Sequence, residues 1–174
     1  HADPQLLRRM NRRGDIEQTR AFLKKAREMG FTLRTTFITG FPGETDEQFE
    51  RLMDFVRDVR FDRLGAFCYS EDDTPAAAMP HQVPEDVKQR RLDRLMTEQQ
   101  AISLERNRLR VDSEERVLVE SVGADGLAVA RSAAEAPETD GVIRVGGVSE
   151  ADIGCFITAR ITGADTYDLT GEKL

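Results

Sequence analysis

The sequence has 174 residues, of which 39% are hydrophobic and 33% charged, and its net charge is −7. This composition is typical of a globular protein with one domain or two small ones. There is no signal peptide, and no apolar run approaches the roughly 18 residues that a membrane-spanning helix needs. Its two cysteines, Cys68 and Cys155, are far apart, which excludes a disulfide framework and a complete cysteine metal site. We therefore expect a protein of the reducing cytoplasm, in which both thiols are small apolar side chains within strands.

Two helices are predicted in the first thirty residues. Asp3 and Pro4 are a start signal for the first helix, and Asp15 is one for the second, which Gly30 ends. The second helix has an apolar face of Ile16, Phe22, Leu23, Ala26 and Met29. The first carries a basic cluster that is either a solvated face or an anion site: Arg8, Arg9, Arg12 and Arg13. Because the chain begins with His1 rather than Met, we expect it to be a piece of a longer protein.

A strand, a tight loop and a helix follow, and the rest of the chain is organised around them. The strand is predicted over residues 31–39, with Arg34, Thr36 and Ile38 on one face. It ends in a loop in which Gly40 and Gly43 leave room for a flat or charged group to approach the backbone. A helix then begins with a capping signal at residues 45–48 and is predicted over residues 46–57. Loops at the carboxyl ends of strands carry ligands in α/β proteins, although an ordinary Gly-Pro turn remains open.

A second strand is predicted over residues 64–69, and the helix between the two strands predicts that they are parallel. Since two strands do not make a stable sheet, further strands are expected upstream. A long polar loop over residues 70–84 contains an acidic run, Glu71-Asp72-Asp73, and a surface residue, His81. The longest helix is predicted over residues 84–108.

The last third of the chain changes both its period and its charge. About five short strands with Gly-rich turns favour a small closed or partly closed barrel of the OB type. From Leu109 onward there are thirteen acids and six bases, whereas the upstream part has nineteen of each. All of the net negative charge therefore lies in this part, which predicts two domains, residues 1–108 and residues 109–174.

Several motifs, in this order, resemble the radical S-adenosylmethionine methylthiotransferases. Residues 36–45 resemble the fifth-strand motif of radical S-adenosylmethionine enzymes, and residues 6–12, 69–77, 82–88 and 95–103 resemble the methylthiotransferase branch. Residues 133–141 resemble the central signature of a TRAM domain, and residues 61–73 and 167–169 resemble the RimO type. The implied fold class is α/β plus all-β, the C-terminal part of a radical S-adenosylmethionine partial (β/α) barrel followed by a small OB-like TRAM β-barrel.

The resemblance implies an enzyme that methylthiolates the β-carbon of an aspartate in a small-subunit ribosomal protein. Its cofactors are S-adenosylmethionine and two 4Fe–4S clusters, whose cysteine ligands are absent from this sequence. Three thiolates are needed to hold such a cluster with one iron open, so we expect this chain alone to be inactive. The implied partner is a basic ribosomal protein bound by a cytoplasmic monomer, with no membrane and no nucleic acid.

The resemblance also implies which residues contact the cofactor. Ile38 and Gly40 are expected to lie behind the adenine, and residues 66–68, with Ala66 and Cys68 at their ends, to contact its edge. Arg34 or Thr36 is expected to face the barrel interior near the cofactor, whereas plain core packing is the alternative for Ile38.

Two other functions stay open at this point. One is methylthiolation of tRNA by the same family, and the other is a non-catalytic protein-binding fragment. Charge separates them, because phosphate contacts dominate RNA affinity and an RNA-binding barrel should be basic. The acidic C-terminal part instead favours a basic protein partner.

Overall fold

The computed structural model describes residues 1–71 and 75–174, which divide into two units, His1–Ile102 and Ser103–Leu174. Each unit has its own buried core. The acidic run predicted after the second strand lies partly outside the described residues, because residues 72–74 are not among them. Within the described residues, no helix combines the length and the apolar character needed to cross a membrane.

The first unit alternates helices with two strands. Its elements are α1 (Pro4–Arg9), α2 (Ile16–Glu28), β1 (Arg34–Thr39), α3 (Asp46–Val59), β2 (Arg63–Cys68) and α4 (Glu85–Arg108), the last of which extends into the second unit. β1 and β2 are parallel and pair from Arg34↔Arg63 to Thr39↔Cys68, as their connection through α3 predicts. β1 is shorter than expected, since it begins at Arg34, which pairs with the first residue of β2, Arg63.

The helix starts confirm the capping signals in the sequence. The Asp3 carboxylate accepts the N–H groups of Gln5 and Leu6 at 2.9 Å each, which satisfies donors that the first turn leaves free. The same carboxylate accepts the side chain of Gln48 at 2.9 Å and that of Arg51 at 2.6 Å. Asp3 therefore caps α1 and also fixes it to α3.

α2 contributes less to the core than its sequence suggests. Ile16, Leu23 and Ala26 pack against the core of the first unit, but Phe22 and Met29 are exposed. Phe22 is one residue before Leu23 and so points about 100° away from it around the helix, while Met29 is the C-cap. The helix therefore packs against the core along only part of its predicted apolar face, and the rest of that face, at Phe22 and Met29, is exposed.

The second unit is a closed five-stranded barrel, which confirms the predicted OB-like fold. Its strands are β3 (Glu114–Val122), β4 (Ala128–Arg131), β5 (Ile143–Gly146), β6 (Phe156–Ala164) and β7 (Leu169–Lys173), in the spatial order β3-β4-β5-β7-β6. Of the five strand pairs in this barrel, β5 and β7 are parallel and the other four pairs are antiparallel. Alternate residues fill the interior: Val117, Val119, Ala128, Ala130, Ile143, Val145, Ala159, Ile161 and Leu169. Cys155 is exposed just before β6, so its predicted role as an apolar filler is wrong.

Candidate functional site

The loop between β1 and α3 is held from inside by a buried carboxylate. Gly40 and Gly43 have φ values of +74° and +78°, a region that favours glycine. The Gly40 N–H donates to the carboxylate of Glu44, whose side chain is completely buried. Arg91 donates to the Glu44 carbonyl at 3.2 Å and lies 3.6 Å from its carboxylate, and His1 Nε2 lies 3.6 Å from the other oxygen. The loop is therefore a rigid feature at the carboxyl end of β1.

The space beside the two glycines is filled by this chain's own side chains, which corrects the expectation of open room. A Cβ at Gly40 would overlap Cγ of Lys88 and lie 3.0 Å from its Cβ. A Cβ at Gly43 would overlap the guanidinium of Arg9, which donates to the Gly43 carbonyl at 2.9 Å. The exposed His81 accepts the Gly43 N–H through its carbonyl at 2.8 Å. Glycine is needed here for close packing within the chain.

Lys88 is a buried cation at the same end of the sheet, and the sequence did not single it out. Its side chain is only 3% exposed, and its ammonium lies 3.1 Å from Glu85 and 3.6 Å from Glu71. The same ammonium is 5.5 Å from the centre of the Tyr69 ring. Lys88 thus joins the loop after β1 to the residues that follow β2. The sequence gave no signal of this contact, because Lys88 is in α4, 48 residues after Gly40 in the chain.

One face of the two-stranded sheet is exposed and apolar at its carboxyl end. Arg34, Thr36 and Ile38 alternate on this face, as predicted, and Ile38 is 39% exposed, so it is not a core residue. Because the Arg34 side chain is exposed, water can solvate its charge and no buried counter-ion is required. Ile38 pairs with Phe67, which is 65% exposed and lies on the same face. An isoleucine and a phenylalanine side by side form an apolar surface on which the flat face of an aromatic ring such as adenine can stack.

Ala66 and Cys68 lie on the opposite face of the sheet. Ala66 pairs with Phe37 and packs against the core, so only its backbone is available for an edge contact on the Ile38 face. Cys68 pairs with the buried Thr39, and burial raises the pKa of its thiol. The structure thus places Arg34, Thr36 and Ile38 on one face of the sheet, as predicted. The residue of β2 whose side chain joins them there is Phe67, and the side chains of Ala66 and Cys68 do not. Strict alternation along residues 66–68 could have identified Phe67 from the sequence.

The thiols of this chain do not fit an iron–sulfur cluster. Cys68 is half-buried in the first unit and Cys155 is exposed in the second. Among residues 1–71 and 75–174, no three His, Cys, Asp or Glu side chains are grouped so as to hold a metal ion.

The barrel carries a buried charge cluster that changes the expected picture of its acidic surface. Arg110 donates to both oxygens of Glu115, at 2.8 and 2.7 Å, and to Glu135 at 2.5 Å. Glu135 also accepts the N–H and hydroxyl of Ser132 at 3.0 and 2.7 Å. The sequence places Glu135, Glu138 and Glu150 at or near predicted turns, which predicts that they are exposed, but the Glu135 side chain is only 2% exposed, so the prediction is wrong for this residue. Glu138 and Glu150 are exposed as expected.

Comparison with known families and proteins gives one consistent result. Residues 1–56 match the radical SAM superfamily, and residues 111–173 match the TRAM domain. The chain is 46% identical to the ribosomal protein uS12 methylthiotransferase RimO of Desulfitobacterium hafniense, over 99% of the chain and 39% of that relative. The whole chain is therefore similar to a part of the RimO-type methylthiotransferases. The corresponding protein of Heliobacterium modesticaldum is also 46% identical, over all of the chain and 38% of that relative. The Escherichia coli O139:H28 protein is 42% identical, over all of the chain and 40% of that relative.

The chain spans about two fifths of the length of the curated RimO relatives that it matches. It contains the TRAM domain and a part of the radical SAM domain. β1 lies within the residues that match the radical SAM superfamily and β2 follows them, whereas all the strands of the acidic barrel lie within the residues that match the TRAM domain.

Proposed function

We propose that the protein containing this chain is a radical SAM methylthiotransferase that modifies the β-carbon of an aspartate in ribosomal protein uS12. The observation that carries the proposal is the 46% identity, along essentially the whole chain, to relatives named uS12 methylthiotransferase RimO. Bound S-adenosylmethionine and two 4Fe–4S clusters would supply the hydrogen abstraction and the sulfur transfer. Because the thiols of this chain do not fit a cluster, no cluster step is assigned to them, and the 174-residue chain alone is inactive in this proposal.

The residues of this chain bind and orient S-adenosylmethionine in the proposed enzyme. Ile38 and Phe67 offer the apolar surface for the adenine, because they are exposed neighbours on one face of the sheet. Glu44 fixes the Gly40 N–H, which keeps the backbone at the end of β1 in one conformation. Thr36 and Arg34 precede Ile38 on the same face, so this face has polar groups farther from the carboxyl end of β1.

Incubation of the complete, cluster-loaded protein with uS12 and S-adenosylmethionine tests the function. We expect mass spectrometry of uS12 peptides to find one methylthio group on one aspartate. A uS12 variant with alanine at that aspartate should stay unmodified, and so should wild-type uS12 incubated with the 174-residue chain alone. Methylthiolation of tRNA with no change in uS12 would contradict the proposal and support the tRNA alternative.

The TRAM barrel is proposed to bind the basic ribosomal protein and to repel nucleic acid. Thirteen acids against six bases after Leu109 support this, although the buried Glu135 and the paired Glu115 do not add to the external field. Exposed carboxylates steer a cationic partner and hold phosphate away. The binding therefore depends on exposed residues such as Glu138 and Glu150.

Exchanging Glu138 and Glu150 for lysine should weaken uS12 binding mainly through a slower association rate, because exposed charges act by steering. Surface plasmon resonance with the 174-residue chain measures this at low and at moderate salt, where screening beyond about 10 Å should reduce the difference. A matched control exchanges two exposed acids of the first unit, Glu28 and Asp54, for lysine. Equal losses in the two variants would show that net charge, rather than the barrel, controls binding.

A further inference from the structure

Four arginines at α1 have no carboxylate partner among the described residues. Arg8, Arg9, Arg12 and Arg13 are all exposed, and only backbone contacts are found for two of them. Arg8 donates to the Pro4 carbonyl at 3.2 Å and Arg9 to the Gly43 carbonyl at 2.9 Å. Most other arginines of the first unit pair with acids, including Arg20, Arg27, Arg51, Arg57, Arg90, Arg91 and Arg94.

The four charges lie within six residues, and residues 4–14 contain no acid. Arg8 and Arg9 are in the last turn of α1, where cations are favourable at the negative end of the helix dipole, whereas Arg12 and Arg13 follow the helix and have no such role. The backbone contacts of Arg8 and Arg9 hold their side chains without neutralising them. This set of residues, named here the arginine surface, is therefore available to an external anion.

Open clefts lie on both sides of the arginine surface. One cleft of about 520 Å³ is lined by Arg8, Arg12 and Arg13 together with two acids, Asp15 and Glu17. The other, of about 630 Å³, is lined by Arg9, Arg90 and Arg91 and by two acids that pair with Arg91, Glu44 and Asp46. Arginines outnumber acids by three to two in each cleft, so each cleft keeps a net positive charge that attracts anions.

We propose that the arginine surface binds the phosphate backbone of RNA. Protein interfaces are built around buried aromatic or aliphatic anchors, whereas backbone recognition of RNA uses arginine and lysine contacts to phosphate. Neither cleft contains any of the large exposed hydrophobic side chains found among the described residues. The inference rests on the proposed function for its biological setting, because a ribosomal-protein substrate is surrounded by RNA phosphates. RNA then contacts the first unit while the acidic barrel repels it.

Titration of a fluorescent single-stranded RNA of about 16 nucleotides with the 174-residue chain tests the proposal. Binding should weaken as salt rises, and the triple variant R8Q/R12Q/R13Q should bind at least tenfold more weakly at 0.1 M salt. The slope of log K against log salt should fall by about 2 in magnitude, since each lost phosphate contact removes about 0.7. The variant R8K/R12K/R13K keeps the charges and should retain the slope. Far-UV circular dichroism checks that the variants are folded.

A matched triple variant, R57Q/R94Q/R160Q, removes three charges from exposed arginines that are already paired with acids. It should change RNA affinity far less than the first triple variant, and equal losses would overturn the proposal. Tighter binding of a polyglutamate peptide than of RNA would also overturn it and assign the surface to an acidic protein. The assay needs no cofactor, so an absence of RNA binding by the unaltered chain refutes this inference, whereas unmodified uS12 refutes the proposed function.

Discussion

Replacing Arg110 by alanine is expected to destabilise the second unit by about 3–5 kcal/mol, the usual range when one partner of a buried ion pair is removed. The change leaves Glu115 and the almost fully buried Glu135 without their shared counter-ion. It also removes the donor that connects the end of α4 to the Ser132–Glu135 turn. Native-state hydrogen exchange of amides in β3 and β6 measures the effect, because it reports on the barrel separately from the first unit.

Arg160 provides the matched control within the same barrel. It pairs with Glu114 at 2.6 Å, but both side chains are about half exposed. Exposed ion pairs contribute at most about 1 kcal/mol, so R160A should change exchange much less than R110A. Similar losses in both variants would show that burial of the Arg110 cluster adds nothing to stability.

The same cluster gives the barrel a defined dependence on pH. Burial by itself would raise the pKa of Glu135, but the hydrogen bonds and charge of Arg110 outweigh it and lower the pKa below its ordinary value of 4.5. A lowered native pKa contributes stability above the unfolded-state pKa, and this contribution is lost as pH falls through the native pKa. Between neutral pH and about 5 the contribution of Glu135 should therefore be constant, and it should fall below about 4.5. The variant E135Q should flatten this part of the pH profile.

Local signals in the sequence predicted the elements well, because they depend on neighbouring residues. The acids Asp3 and Asp15 and the Thr45 capping box start helices where the sequence places them. The parallel pairing of β1 and β2 follows from the helix between them, and the closed barrel follows from short strands with Gly-rich turns.

Features that depend on distant residues were missed or wrong. Glu135 sits near a turn, where exposure is the ordinary expectation, but Arg110, 25 residues earlier, buries it. Lys88 fills the space at Gly40 from a helix that begins after a long loop. Phe67 was the exception, since alternation along β2 already distinguishes it from Ala66 and Cys68. The sequence could therefore predict which side chains of β1 and β2 share the candidate cofactor face. It could not predict that Lys88 packs against Gly40 at the end of β1.

Replacing Gly40 by valine in the complete enzyme is expected to lower S-adenosylmethionine affinity at least tenfold, equivalent to about 1.4 kcal/mol. Valine at φ +74° is strained, because a β-branched residue strongly disfavours the left-handed region. Its Cβ would also overlap Lys88, whose side chain is buried and held by Glu85 and Glu71. The backbone beside Ile38 must move to relieve both the strained φ angle and the overlap with Lys88. Equilibrium dialysis with labelled S-adenosylmethionine measures the loss.

Gly30 distinguishes the backbone effect from the contact with Lys88. Its φ of +85° is similar to that of Gly40, but a Cβ there would have no atom within 4 Å. G30A and G40A in the 174-residue chain should therefore share a left-handed penalty of about 1–2 kcal/mol, and only G40A should add the overlap with Lys88. The double variant G40A/K88A removes the overlapping Cγ and should recover part of the difference in β1 amide exchange. If G30A and G40A destabilise the first unit equally, the close approach of Lys88 is not what requires glycine at the end of β1.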